Sequence, residues 1–414
     1  MLTTRLIRPD YSTAFRCIGP ACEDTCCAGW RVDLDRASFE RLHTIPEGPL
    51  KTLVEASVVR GSTPNAPLSP SAFAQIRMTA SGRCPIQSED GLCRIHAEHG
   101  AGYLPELCAT YPRIPHSVEH RIERALSLAC PEAARLVLLN PDLMAEPIRG
   151  AQVHSWDEKA PCTTPVRTWF WPVREFAIDL IRNRAYPLWQ RMFLLGTFSR
   201  RMDAIIQGTL DRSMAALLAD FSAAVGKGSL RAQMETIPSD LALQLEMVME
   251  LVRLRVDAVK VPPRLRASLQ AFIQGIGAKT EPGIAAQSAH YAAAHDRYYA
   301  PFFLRRPHIL ENYLVNAILS GLYPFGLKLY EPDGKQEPGR EFAMLAAQFA
   351  LIKGLLIGVA GCHREAFSSE HVVETIQVVC KYFEHDPQQL DEIEQLLRSR
   401  DLDNARGIAM LLRN

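Results

Sequence analysis

The sequence predicts a mainly α-helical protein: an irregular, cysteine-rich, metal-binding N-terminal region packed on a C-terminal α-helical domain. Three observations lead there. Eight of the eleven cysteines fall between Cys17 and Cys130. From about Thr168 onward apolar residues recur at spacings of three and four, the period of one helix face. Strand-like alternation is scarce throughout. The implied divisions are residues 1–145 for the cysteine-rich metal-cluster region, 146–167 for a linker and 168–414 for the helical domain.

The N-terminal region is rich in Cys, Pro, Gly and turn dipeptides. Its one long periodic piece, Asp35 to Val59, is interrupted by Pro46, Gly48 and Pro49, which break a helix by removing a donor or freeing the backbone. The Ser/Thr/Pro/Asn segment Gly61 to Phe73 predicts an exposed loop. Such a region is expected to fold around its metal more than around an apolar core, because metal binding supplies folding free energy directly.

In the helical domain, Val173 to Ile206 and Leu241 to Val256 predict amphipathic or buried helices. Breakers stand at Gly226 to Gly228, Pro262-Pro263, Gly275 to Gly277 and Glu331 to Glu341. The stretch Phe342 to Gly361 is apolar for about one bilayer crossing. Gln348 and Lys353 lie at its middle, where polar and charged groups are costly in hydrocarbon, so it predicts a buried core helix. Within it, Gly354, Gly358 and Gly361 predict close helix packing. Shorter helices are expected at Ser368 to Phe383, Pro387 to Arg398 and Leu402 to Leu412.

The chain carries 46 basic and 46 acidic residues with pI near 7.2, which argues against nucleic acid or an anionic membrane as a partner. The N-terminus MLTTRLIRPDYSTAF has no continuous apolar run and does not read as a secretory signal. A cytoplasmic protein is the expectation. In that compartment thiols stay reduced, so clustered cysteines point to thiolates held by a metal.

The spacings are Cys17-x4-Cys22-x3-Cys26-Cys27, then Cys84, Cys93, Cys108 and Cys130. Zinc knuckles need pairs two to four residues apart, and only Cys22 with Cys26 or Cys27 supplies that. Iron–sulfur centres accept looser spacing and often carry Cys-Pro, present at Cys84-Pro85 and Cys130-Pro131. All-thiolate ligation favours an iron–sulfur cluster, with zinc as the alternative. His96 is the nearby imidazole and predicts a capping or packing role. The isolated Cys162, Cys362 and Cys380 read as small buried hydrophobes.

The segments Pro9 to Asp35, Cys84 to Gly100, Leu107 to Arg113, Ala125 to Leu138 and Phe302 to Gly326 resemble the flagellin lysine-N-methylase family of bacteria. The front part is similar to the wider zinc- or iron-chelating CxxCxxCC group, from which the run C-x4-C-x3-CC departs. The resemblance implies a methyltransferase that moves a methyl group from S-adenosylmethionine to lysines of flagellin. The acceptor must be a neutral amine, so a lysine with a free pKa near ~10.4 must lose its proton. Glu311 and Tyr313 in the helical block are the candidate acceptors, with Glu23, Asp24 and Asp33 beside the cysteines. No G-x-G-x-x-G follows a strand, so no Rossmann donor pocket is visible. An iron left open by three cysteines could hold S-adenosylmethionine instead, with the lysine in a groove walled by Glu311 to Asn316. Asn312 and Asn316, at i and i+4 on an apolar helix, read either as an interhelical hydrogen-bond network or as a substrate contact, and Arg305-Arg306 as a carboxylate site or solvated charge. Two other classes compete: a non-enzymatic zinc or iron module that docks a protein partner, and a redox protein that uses its surplus thiols.

Overall fold

The computed structural model describes residues 5–7, 11–28, 32–61, 73–118, 121–144, 169–258, 261–280, 283–330, 335–383 and 387–414. The expected linker at 146–167, Cys162 and most of the loop at 61–73 lie outside them. In chain order the strands are β1 (Arg5–Ile7), β2 (Val32–Leu34), β3 (Val58–Arg60), β4 (Ala74–Ile76), β5 (Arg113–Val118) and β6 (Arg121–Leu126). The first helices are α1 (Tyr11–Ala14), α2 (Arg36–His43), α3 (Pro49–Ser57), α4 (Arg94–His99), α5 (Glu106–Thr110) and α6 (Pro131–Leu138). There follow α7 (Phe170–Arg182), α8 (Leu188–Ile206), α9 (Met214–Lys227), α10 (Arg231–Glu235), α11 (Leu241–Ala258), α12 (Pro263–Gly275) and α13 (Ile284–Ala294). The last are α14 (Ala300–Leu304), α15 (His308–Ser320), α16 (Pro338–His363), α17 (Ser369–Phe383), α18 (Pro387–Ser399) and α19 (Ala405–Leu412). The chain is mainly helical, as its apolar spacing predicts.

Two units result. One comprises Ala14–Ile114 with Cys130–Ala133; the other comprises Met1–Thr13, Pro115–Ala129 and Ala134–Asn414. All eight clustered cysteines belong to the first. Its periodic stretch gives α2 and α3, split where Pro46, Gly48 and Pro49 break the pattern. Asp35 caps α2, its Oδ1 accepting from the Ser38 N–H at 3.0 Å. Strand β4 pairs antiparallel with both β2 and β3, placing Ile76 opposite Val32 and Val58. Leu34, Leu42, Val54, Ile76, Ile86 and Ile95 form an apolar core, against which Cys84, Cys93 and Cys108 pack. The region thus has an apolar core of its own: short amphipathic pieces, each too brief to stand out in the sequence, close it together.

In the helical unit the run Val173 to Ile206 forms α7 and α8, parted at Asn183 to Pro187. Helix α16 is the buried core helix expected of its sequence, with 89% of its most apolar window inside the protein. Its glycines admit neighbours at backbone distance. A Cβ on Gly275 of α12 would overlap the Gly358 carbonyl oxygen, and one on Gly361 would lie 2.8 Å from the Ala294 Cβ. Lys353 of the same helix is buried, and its Nζ donates to the Leu412 carbonyl at 2.5 Å and to Asn414 Oδ1. Burial pushes its pKa down to about 7.

The strands of the second sheet, in the order β1-β6-β5, went unread in the sequence. β1 pairs parallel to β6, setting Arg5 opposite Arg121 and Ile7 opposite Glu123. Residues Pro115–Ala129 group with the helical segments, whereas the sequence reading placed them within residues 1–145. Asn316 secures the arrangement: its Oδ1 accepts from the Tyr11 hydroxyl at 2.8 Å, and its Nδ2 donates to the Leu126 carbonyl at 2.9 Å. Asn312 donates to the carbonyls of Val137 and Asn140 at 2.9 and 2.6 Å. Of the two readings for this asparagine stripe, the hydrogen-bond network is the one formed.

Candidate functional site

The cysteine-bearing loops are held by short-range backbone bonds. The Cys84 N–H donates to the Cys27 carbonyl at 2.7 Å, fastening the head of the cluster to its downstream half. Gln87 and Cys93 then form an isolated bridge, so Cys84 and Cys93 flank one tight excursion. Gly91 turns it at φ +81°, a left-handed conformation that favours glycine. Gln87 stitches the two halves together, its Nε2 donating to Thr25 Oγ1 at 2.6 Å and to the Gly91 carbonyl at 2.7 Å. Thr25 Oγ1 in turn accepts from the Cys27 N–H at 3.0 Å. Sequence reasoning missed Thr25 and Gln87, since neither residue type signals a site by itself. Cys108 lies within α5, and Cys130 directly precedes α6, where its sulfur accepts from the N–H groups of Glu132 and Ala133.

Electrostatics shows which thiols neighbour one another. Cys27, Cys84, Cys93 and Cys108 each feel a nearby Cys26, and Cys108 also feels Cys84 and Cys93. Cys130 feels Cys22 and Cys26, and Cys22 feels Cys17. Burial raises the pKa of Cys22, Cys84 and Cys93, and pushes Cys108 up to about 12 and Cys130 up to about 11. Cys27 is raised chiefly by its hydrogen bond with Cys26. Among the described residues no group of three or more His, Cys, Asp or Glu side chains is already spaced to hold a metal ion. In donor type the clustered thiols suit a soft metal or an iron–sulfur centre. His96 is exposed on α4. Cys380 is buried, as expected of an isolated cysteine, and Cys362 is half-buried.

In the helical unit, Glu311 is 4% exposed. Its two oxygens accept from Arg184 Nη2 and Nε at 2.9 and 3.0 Å and from Arg191 Nη1 at 2.8 Å. Tyr313 is buried, with its ring stacked on Phe349 at 6.3 Å. Arg306 lies over the Phe302 ring at 4.5 Å. Glu23 is exposed, while Asp24 and Asp33 are half-buried.

Fold and donor set thus define a mainly helical protein with a thiol-rich unit that has its own apolar core. The sequence model of the FliB lysine N-methylase C-terminal domain matches residues 174–411, more than half of the chain, and the chain belongs to that family. It is 33% identical over 138 residues to the flagellar biosynthetic protein FliU of Salmonella muenchen, covering 33% of this chain and 79% of that protein. It is likewise 33% identical over 138 residues to the lysine-N-methylases of Salmonella typhimurium and Salmonella choleraesuis. Those matches span about a third of each enzyme's length. No solved structure matches the chain.

Proposed function

We infer that this protein is a cytoplasmic protein-lysine N-methyltransferase that acts on flagellin, with S-adenosylmethionine as methyl donor and an iron–sulfur centre held by the clustered cysteines. The observation that carries the reading is the family match across the helical unit, joined by the likeness to proteins named for lysine methylation and the flagellum. For the centre, Cys26 lies within electrostatic reach of Cys27, Cys84, Cys93, Cys108 and Cys130, and Cys22 within reach of Cys17 and Cys130. Held by these thiols, an iron–sulfur centre would supply a position for the amino and carboxylate groups of S-adenosylmethionine. The thiols suit such a group by softness and by their enclosure in one unit.

Glu311 and Tyr313 enter the proposal as proton acceptors. For Glu311 that role requires releasing a guanidinium from one of its oxygens, since both are engaged. The decisive experiment is anaerobic purification and metal analysis, followed by incubation with S-adenosylmethionine and flagellin and mass spectrometry of the product. Iron with acid-labile sulfide and methylated lysines are expected. Stoichiometric zinc in a colourless protein that transfers no methyl group would overturn the reading.

A further inference from the structure

The N-terminal end of α15 presents a surface that is apolar at its centre and cationic around it. Leu304, the last residue of α14, is 83% exposed, and Leu139, just beyond α6, is 36% exposed; they are two of the four large hydrophobic side chains left exposed among the described residues. Both lie by the start of α15. Asn312 Nδ2 donates to the carbonyls on either side of Leu139, those of Leu138 at 3.4 Å and Asn140 at 2.6 Å. It stands one turn beyond His308, the first residue of α15, which follows Leu304 by four residues. Guanidinium groups surround this end. Arg305 is exposed, Arg306 lies over the Phe302 ring at 4.5 Å, and the Arg184 side chain is 49% exposed with Nε and Nη2 on Glu311. His308 ties them to one place, since its imidazole feels Arg184, Glu311, Arg306 and Asp142. With Arg191, four guanidiniums face the carboxylates of Glu311 and Asp142, a local excess of positive charge in a chain with 46 charges of each sign. A single exposed leucine needs no explanation. An apolar centre with arginines at its rim is the pattern of a protein contact.

We propose that this surface docks a carboxylate-rich segment of the protein substrate, with apolar side chains of that segment on Leu139 and Leu304 and its carboxylates on Arg305, Arg306 and Arg184. The proposal rests on the methyltransferase reading above. Carboxylate is the fitting group because Arg184 already holds one, through the two-bond fork that matches guanidinium to carboxylate. Docking has a consequence for Glu311. The Arg184 pair is open to solvent on one side, and such pairs are weak, so a substrate carboxylate takes over this guanidinium at little cost. Arg191, only 6% exposed, keeps its bond to Glu311 Oε2 at 2.8 Å. Oε1, which accepts from Arg184 Nη2, is then released. Glu311 thus gains a free acceptor oxygen while substrate is bound, and Arg184 is a positioning residue for it. His308 reports on the event. Burial lowers its pKa, with Arg184 and Arg306 adding to the effect and Glu311 and Asp142 opposing it, so arriving carboxylates should raise it.

The test measures binding of monomeric flagellin, and of an acetylated peptide alternating glutamate with leucine, by fluorescence anisotropy at low and high salt. NMR of the His308 imidazole and methyl-transfer kinetics accompany it. Expected are binding that weakens with salt, a His308 pKa raised by the peptide, and KM up to ~5-fold higher for Arg184→Ala or Arg305→Ala, the scale of one exposed ion pair. Leu304→Ser should weaken peptide binding. Arg305→Glu with Arg306→Glu should raise KM by ~10-fold or more, since like charges then meet. Arg184→Ala should keep kcat at or above that of wild type, because Oε1 is then free without substrate. A fall in its kcat at unchanged KM removes Arg184 from the proposal. Wild-type KM in the double charge reversal, tighter binding of a DNA oligonucleotide than of the peptide, or a His308 resonance that the peptide leaves unmoved overturns the docking surface. Failure of wild type to bind and methylate flagellin sinks the methyltransferase reading alone, and the peptide with His308 still decides whether a carboxylate-rich segment docks here.

Discussion

Replacing Glu311 by Gln removes the carboxylate that two arginines share. Arg191 and Glu311 side chains are each 6% exposed, whereas Arg184 is 49% exposed. Loss of one partner of a buried pair costs about 3–5 kcal/mol, because the remaining charge stays desolvated. Gln keeps one acceptor oxygen, and Arg191 retains the carbonyls of Tyr186 and Ile181 at 2.7 Å, so the lower end of that range, ~3 kcal/mol, is expected. For a unit of about 300 residues, an unfolding entropy of ~2.1 cal/mol/K per residue makes each kcal/mol worth about 1.5 °C in Tm, giving a fall of ~5 °C. Arg184→Ala should cost no more than about 1 kcal/mol, the scale of a solvent-screened pair. Glu311→Met with Arg191→Met should recover most of the loss, since an apolar replacement of a buried pair is often neutral. Thermal and urea unfolding of the four proteins measure this. A Glu311→Gln protein within ~0.5 kcal/mol of wild type, or a double variant less stable than the single, would refute a structural ion-pair role. Any loss of methyl transfer in Glu311→Gln is read only after this stability change is known.

Gly275→Ala, which would overlap the Gly358 carbonyl oxygen, should destabilise by at least ~1–3 kcal/mol, because the neighbour is backbone and cannot turn aside; urea midpoints check it. Lys353 has a folded-state pKa of about 7 against ~10.4 unfolded. Between those values only the unfolded chain holds the proton, so stability rises with pH by up to about 1.4 kcal/mol per unit. Lys353→Met should flatten that rise in urea titrations at pH 7, 8 and 9. Single Cys→Ser changes at Cys84, Cys93 and Cys108 should lower the iron content sharply, since a thiolate donor is lost outright. The same change at buried Cys380 should not, and full iron in all three would remove them from the donor set.

The helices were legible because their cause is local. Apolar residues at three- and four-residue spacing, ended by Gly228, Pro262-Pro263 or Pro387, specify a face and its limits whatever lies opposite. Lys353 and Gln348 likewise marked α16 as a core helix, since hydrocarbon tolerates neither. The clustering of thiols along the chain showed the type of donor. Strands were not legible: β1 to β4 are three residues each, too short for alternation to register, and β1 finds its partner β6 more than a hundred residues away. That pairing decided which unit residues 115–129 join. Tertiary structure alone gave Glu311 its arginines, since Arg184 and Arg191 lie on other elements. Periodicity reports that a residue is buried. Which donor or acceptor meets it there depends on contacts between segments distant in the chain, and no local pattern encodes those.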